Sequence, residues 1–348
     1  MIQADLTGEA LAKSRCDFGP LLRGLPADFP ARGPIISNIL LLKSLCCEVF
    51  MKITITTPSG HIGSKLADIL LSSGEAQLTV LARTPSKVEH LAARGARVVA
   101  GDQLDPAAVD KAVEGADVLF WLVGMDYTAT NVRARYNQFA DAAAGALRRN
   151  PQLRIVHLSS VGAQLPDRTG PIKGLYDTEQ KLIAAGKDVI HLRANYFMEN
   201  VLSSLPTIAS DGTIYAAMPG STKAEQVATA DIAEAAAHYL LRGSRGHHAV
   251  DVFGPEDISF DQVASTVGEA IGKPVRHIEI PPQALQAALN SAGLSADLAA
   301  ELVELQQAMG SGLLHERVGD LLWKGKVTFA NFAQEVIKPA YRQATAAA

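Results

Sequence analysis

From Met51 onward the chain alternates short β-rich runs with longer amphipathic ones. The β-rich runs are KITITT (52–57), LTVLAR (78–83), ARVVAGD (96–102), DVLFWLV (117–123), RIVHLSS (154–160), DVIHLRANYF (188–197) and HAVDVFG (248–254). Helical patterns fill most of the gaps, at 61–73, 86–94, 106–114, 129–149, 176–185 and 231–242. Such alternation predicts parallel βαβ units. Several strands are apolar nearly throughout, as strands covered on both faces must be. The predicted fold class is therefore α/β, with a doubly wound parallel sheet.

Beyond residue 255 the pattern changes. DISFDQVASTVGEAIG (257–272) reads as an amphipathic helix with its start signal, and PVRHIEIPP (274–282) as a short strand. Residues 283–314 are largely helical, broken at Gly293 and Gly310, and TFANFAQEVIKPAY (328–341) is one more helix stopped by Pro339. Residues 256–348 are expected to form a small, mostly helical, substrate-side subdomain on a main domain spanning 51–255. Residues 1–50 are rich in Gly and Pro and show no sustained periodicity, which predicts an irregular or disordered extension. It is either an upstream mis-start, with the fold beginning at Met51, or an arm that covers part of the surface or an interface.

Composition narrows the function classes. The formal net charge is −4 with both signs interspersed, and aromatics are 5%, so neither a basic nucleic-acid face nor a base-stacking platform is indicated. The apolar run IISNILLLKSLCCEVF (35–50) is broken by Lys43 and Glu48, too short and too charged to span a membrane. Asp5 and Glu9 precede it, which does not fit a secretory signal, and cytoplasmic residence is the default expectation. The cysteines, Cys16, Cys46 and Cys47, all precede Met51, so the main domain has neither a disulfide framework nor a catalytic thiol. The histidines lack metal-ligand spacing, and no G-x-S-x-G elbow occurs.

The chemistry concentrates in TTPSGHIG (56–63), where the first predicted strand turns into a helix. Gly60 and Gly63 have the spacing of the second and third glycines of a dinucleotide loop. Gly60 would let backbone approach a pyrophosphate, Gly63 would let the helix pack tightly on the strand, and the helix N-terminus would offer free amides. The first position holds Thr57. A β-branched residue resists a positive φ, and Pro58 biases Thr57 toward an extended conformation. The turn is therefore expected one residue later, at Ser59–Gly60, with the Ser59 hydroxyl available to phosphate. The second strand ends Ala82-Arg83, with Lys87 four residues on, where an acid would select NAD. Arg83 pairs well with a 2′-phosphate, which favours NADP(H); the alternative is a pair of surface charges at a helix start. Asp102 ends the third strand, either bordering an adenine or shaping the turn before Asp105 and Pro106, which read as a helix cap.

Taken together, TPSGHIG, LARTPSK, VVAGDQLDPAAV, RIVHLSSVGA, EQKLIAAGKDVIHLRANYFMEN, VATADIAEAAAHYL and VFGPEDISFDQVASTVGEAIGKPV resemble the NmrA-like group of atypical short-chain dehydrogenases/reductases, from Met51 to about Tyr341. LRANYFMEN (192–200) and the run beginning at Gly254 carry the resemblance most specifically. The resemblance implies a Rossmann-type NADP(H) domain and a small C-terminal substrate domain. The group includes quinone and dye reductases, isoflavone-reductase-like enzymes, and redox sensors that bind the cofactor without turnover. It implies that Thr57, Ser59, Gly60, His61, Ile62 and Gly63 hold the pyrophosphate, and Arg83 with Lys87 the 2′-phosphate. Asp102 and Gln103 would lie by the adenine, and Leu122, Val123 and Gly124 would line the cofactor. Ser159 would lie near the nicotinamide, with Asn195, Tyr196 and Phe197 closing over that side.

The usual proton-donating Tyr-x-x-x-Lys pair is absent. In LYDTEQKL, Tyr176 is followed by Gln180 at the lysine position, and Lys181 is one residue too far. Tyr176 remains a candidate as a weak acid or stacking wall, against a plain packing role. Lys173 is the nearest lysine of the isoflavone-reductase kind, out of convincing register, and Glu179 reads as a structural helix charge. Quinone reduction needs little beyond positioning, since a proton can come from water. Two functions stay open: an NADP(H)-dependent oxidoreductase acting on a quinone-like or other small electrophile, and a non-catalytic NADP(H) sensor acting through a protein partner. NAD(H) is the less favoured cofactor, and the chain is expected to be a monomer or homodimer.

Overall fold

The computed structural model describes residues 50–346, so the readings of residues 1–49 and of their cysteines lie outside the described residues. Eight strands form one parallel sheet in the order β12-β9-β6-β5-β4-β1-β2-β3. Their spans are β1 Met51–Thr56, β2 Ala76–Ala82, β3 Arg97–Ala100, β4 Val118–Trp121, β5 Arg154–Ser160, β6 Val189–Ala194, β9 His247–Phe253 and β12 Leu321–Lys324. The order reverses between β1 and β4, the switch point at which open α/β sheets take their ligands. The α/β, doubly wound reading therefore describes the molecule.

Apolar strands imply two covered faces, and both exist. Helices His61–Ser73 and Thr229–Arg242 cover one face, over Ile53, Ile55, Val80, Phe120, Leu158 and Val250. Helices Pro106–Val113, Val132–Arg149 and Ile172–Ala185 cover the other, over Leu81, Leu119, Trp121, Ile155 and Val189. Alanines such as Ala143, Ala144 and Ala146 are fully buried and let these helices lie close.

The second lobe is less regular. β7 (Thr213–Ala216) pairs in parallel with β11 (Arg276–Glu279), and β8 (Lys223–Ala224) pairs antiparallel with β10 (Ile258–Ser259). Helix Phe260–Ile271 starts on a reciprocal capping box between Ser259 and Gln262 and ends at Gly272. Its apolar side joins Met198, Ile208, Phe329, Phe332 and Ile337 in a separate core. Helix Ala296–Gly310 follows, and β12 then returns the chain to the main sheet beside β9. That return crosses the boundary expected at residue 255. Pro339 does not stop the last helix. A π-helical turn over Ala333–Ile337 precedes it, and Pro339 falls in the first turn of Lys338–Ala346, where a missing N–H is tolerated.

Two histidines sit side by side inside the sheet. His157 of β5 is in register with His191 of β6, their rings edge to face at 5.4 Å and their Nδ1 atoms 3.1 Å apart. Neither Nε2 has a hydrogen-bond partner among the described residues. Burial pulls both down to about 3. The unfolded chain binds protons at these side chains as pH falls through about 6.5, whereas the folded chain resists until about 3. Their contribution is complete above pH 6.5 and is lost progressively below it. Urea midpoints should therefore fall between pH 7.5 and pH 5, and His191→Phe should flatten that dependence. An unchanged pH slope in the variant would count against the assignment.

Candidate active site

The loop after β1 is built by one close approach. A Cβ on Gly63 would lie 2.1 Å from the Thr57 carbonyl oxygen, so only glycine lets helix His61–Ser73 start this near the strand. The same carbonyl accepts from Gly60 N at 3.1 Å. To aim it there, Thr57 adopts φ 50, in the left-handed region. The turn expected at Ser59–Gly60 is thus made at Thr57 itself. Packing of Gly63 under the carbonyl overrides the β-branched preference, at a cost of about 1–2 kcal/mol. The Thr57 hydroxyl donates to Thr56 O at 2.8 Å and partly offsets this.

Around this turn lie unclaimed donors. Gly60 precedes the helix with no side-chain cap and no acid in the first turn. A Cβ on Gly60 would touch only Thr57 O, at 3.5 Å, leaving the approach open. The amides of His61, Ile62 and Gly63 are the orphan donors of the helix. Arg83 and Lys87 are exposed and enter no ion pair among the described residues. These groups fit a phosphorylated dinucleotide: free amides for a pyrophosphate and unpaired cations beyond β2 for a further phosphate.

The strand ends are stitched together by side chains. Thr56 accepts from Leu122 N at 3.0 Å and lies within hydrogen-bond reach of Phe120 O and Leu122 O. Gln103 Nε2 donates to Leu122 O at 3.0 Å, drawing the loop after β3 toward the end of β4. Asp102 accepts from Leu104 N at 2.9 Å and shapes its own turn, while Asp105 caps the next helix through Ala107 N. Thr57, Gly60, Gly63, Asp102, Gln103 and Leu122 therefore share one edge of the sheet. Val123 and Gly124 continue from it.

The other half of the candidate set behaves differently. Ser159 is buried, and its hydroxyl donates to Glu179 Oε1 at 2.6 Å. Arg193 donates to both oxygens of Glu179, at 3.0 and 2.6 Å. Burial alone would lower Arg193; the bonds to Glu179 more than offset it and hold the guanidinium charged. Glu179 is 1% exposed, so it is a fully interior carboxylate rather than a solvated helix charge. Only its distant partners could have revealed this, and helical spacing carries no such signal.

Helix Ile172–Ala185 begins four residues earlier than its pattern implied, which puts Tyr176 in its second turn. The Tyr176 side chain is half-buried, and its hydroxyl makes no hydrogen bond among the described residues. Lys181 turns away to Asp141 at 2.6 Å. Lys173 is held by Glu301 and Glu304, at 3.0 and 2.9 Å, on the second lobe. Asn195 Oδ1 accepts from Tyr196 N at 2.6 Å. Tyr196 and Phe197 then diverge. Tyr196 packs edge-on against Phe260, and burial pushes its hydroxyl up to about 12; Phe197 joins the sheet core and bridges to Val227.

A parallel sheet with its switch point beside a glycine-turned helix start defines a doubly wound α/β protein of the Rossmann type. More narrowly, the chain belongs to the NmrA-like family, which matches residues 51–332. It is 27% identical over 282 residues to the NAD(P)H azoreductase of Xenophilus azovorans, covering 79% of this chain and 94% of that one. It is 25% identical over 265 residues to quinone oxidoreductase 2 of Escherichia coli, covering 76% and 90%. The solved structure of the NADPH-dependent quinone oxidoreductase from Escherichia coli, complexed with NADPH, superposes with a TM-score of 0.64 at 24% identity. That match covers 82% of this chain and 99% of the other. No described helix is long and apolar enough to cross a membrane.

Two substitutions test the construction. Gly63→Ala should force the helix start away from Thr57 and lower both the urea midpoint and nucleotide affinity; a variant as stable as the parent would refute the contact. Arg193→Ala strands the interior carboxylate of Glu179 and should cost about 3–5 kcal/mol in a denaturation experiment. Adding Glu179→Gln to it should recover part of that loss, and no recovery would mean the cost lies elsewhere.

Proposed function

We propose that this NmrA-like chain is an NAD(P)H-dependent oxidoreductase that uses NADPH and passes hydride to a quinone-like or other small electrophilic acceptor. The observation that carries the cofactor choice is the pair of exposed cations, Arg83 and Lys87, just beyond β2, which enter no ion pair among the described residues. In this reading Thr57, Ser59, Gly60, His61, Ile62 and Gly63 hold the pyrophosphate through backbone amides and one hydroxyl. Asp102 and Gln103 border the adenine, and Leu122, Val123 and Gly124 line the cofactor. Reductases among the relatives support the reaction class.

When bound, the nicotinamide supplies a hydride, and a quinone acceptor takes that hydride and one solvent proton to become the hydroquinone. The chain's own task is orientation. Ser159, Glu179 and Arg193 lock the ends of β5 and β6, so that Ser160 and Asn195 leave the sheet at fixed positions. Tyr176, whose hydroxyl has no hydrogen-bond partner among the described residues, is the candidate acid on helix Ile172–Ala185, and the proton step does not require it. The second reading, a cofactor sensor without turnover, is favoured by Gln180 in the lysine position and by Lys181 being tied to Asp141.

Titration of the purified chain with NADPH and NADH tests the cofactor, and NADPH consumption over a quinone panel separates the two readings. Arg83→Ala should weaken NADPH by about tenfold or more while leaving NADH within about twofold, as loss of a charge-assisted phosphate contact would. Equal weakening of both would remove Arg83 from the 2′-phosphate.

A further inference from the structure

We propose that Met125 and Tyr127 form the face on which the acceptor stacks, and that they favour planar acceptors of two or more fused rings. This rests on the reductase reading above. Met125 follows Gly124 directly and Tyr127 two residues later, in the loop after β4 (Val118–Trp121), beside the switch point. They are large apolar side chains left in solvent, Met125 at 36% exposure and Tyr127 at 60%. Both lie on the loop that leaves the ligand edge of the sheet, where an acceptor would approach the cofactor.

The loop that carries them is not slack. The Asp126 carboxylate accepts from Thr128 N at 3.1 Å, Thr128 Oγ1 at 2.9 Å and Arg135 Nε at 3.0 Å. Those bonds, from Thr128 first, hold Asp126 below the usual carboxylate range. From the second lobe, Ser295 N donates to Tyr127 O at 3.0 Å and Ser295 Oγ donates to Ala129 O at 2.6 Å. Asp297 accepts from Val132 N at 2.7 Å, closing the far end of the loop. The backbone is thus pinned on both sides of Tyr127 while its ring remains outside. A fixed backbone with a displayed ring makes a stacking platform at low ordering cost.

The approach beside the loop is open. A Cβ on Gly124 would meet nothing within 4 Å, so the space above the cofactor-lining residue is open. Tyr136 stands behind the loop, and burial, followed by the neighbouring Tyr127, pushes its hydroxyl up to about 12. Tyr136 in turn packs on Gly174, where a Cβ would lie 2.6 Å from the Tyr136 Cβ. Gly174 belongs to the helix that carries Tyr176. An aromatic face of Tyr and a polarisable thioether attract a conjugated, electron-poor ring and offer no charge to a polar one.

The test uses the full chain with Tyr127→Ala, Met125→Ala and Tyr127→Phe. Acceptors are 1,4-benzoquinone, with one ring, and 1,4-naphthoquinone, with two. Tyr127→Ala should raise KM for naphthoquinone about five- to tenfold, change benzoquinone by less than about twofold, and leave kcat and NADPH affinity near the parent values. Met125→Ala should act in the same direction, and Tyr127→Phe should restore the parent KM. Naphthoquinone binding to the NADP+-loaded chain is measured in parallel by fluorescence quenching. A parent that binds naphthoquinone but consumes no NADPH defeats the reductase reading while a weakened Tyr127→Ala still supports the platform. Unchanged binding in Tyr127→Ala, equal losses for both quinones, or conversion of a dimer to a monomer on sedimentation each overturns the platform, the last by showing that a second copy covers this face.

Discussion

A carboxylate buried beneath a parallel sheet has to be answered by its neighbours, and Glu179 is answered from two strands. Helix Ile172–Ala185 delivers it, β5 gives the Ser159 hydroxyl, and β6 gives the Arg193 guanidinium in two-point contact. An isolated charge at 1% exposure would be worth several kcal/mol against folding, so these contacts offset a penalty more than they add stability. Their effect is geometric. The helix is fixed in rotation and height over β5 and β6. Lys173, six residues earlier on the same helix, reaches Glu301 and Glu304 on the second lobe. Those two ion pairs tie this helix to the second lobe. Arg193 is also in register with Asp251 of β9, so the polar row extends across three strands.

The edge proposed to hold the nucleotide is organised differently. No buried charge organises it. Backbone proximity does, with Thr57 bent into the left-handed region above Gly63 and Thr56 fastening the end of β1 to β4. The strain sits in a single residue, at the point where the chain must leave the strand and present its amides. The sheet edge therefore combines a preformed donor set on one side of the switch point with an aromatic loop on the other. Both are held by backbone and side-chain contacts, and Gly60, Met125 and Tyr127 keep exposed or open faces.

The strand and helix alternation was legible because period and length are local properties, and Gly60, Gly63 and Arg83 stand out in single letters. The cap at Asp105 and Pro106 was legible for the same reason. Thr57 was misread because local preference was weighed without the carbonyl contact that only the packed helix creates. Glu179 was seen as structural but not as interior, since its partners lie 14 and 20 residues away on other elements. Gln103 was placed by resemblance alone; its bond to Leu122 needs the folded sheet. β12 was not foreseen at all. The four residues Leu321–Lys324 carry too little pattern, and what makes them a strand is the exposed edge of β9.

That last strand has a consequence for how the protein is made. β9 is synthesised with its outer edge bare, and it stays bare until Leu321–Lys324 arrives from far downstream. Asp251 and Ala249 on β9 wait equally for Gly319 and Asp320, which dock the returning chain. During translation the nascent sheet therefore carries an unpaired hydrophobic edge for most of the time that the second lobe is being built, the kind of edge that templates pairing between chains. Completing the second lobe is what closes the first, so the two lobes share one folding fate, and a truncation shortly before Gly319 would release a sticky sheet rather than a smaller working domain.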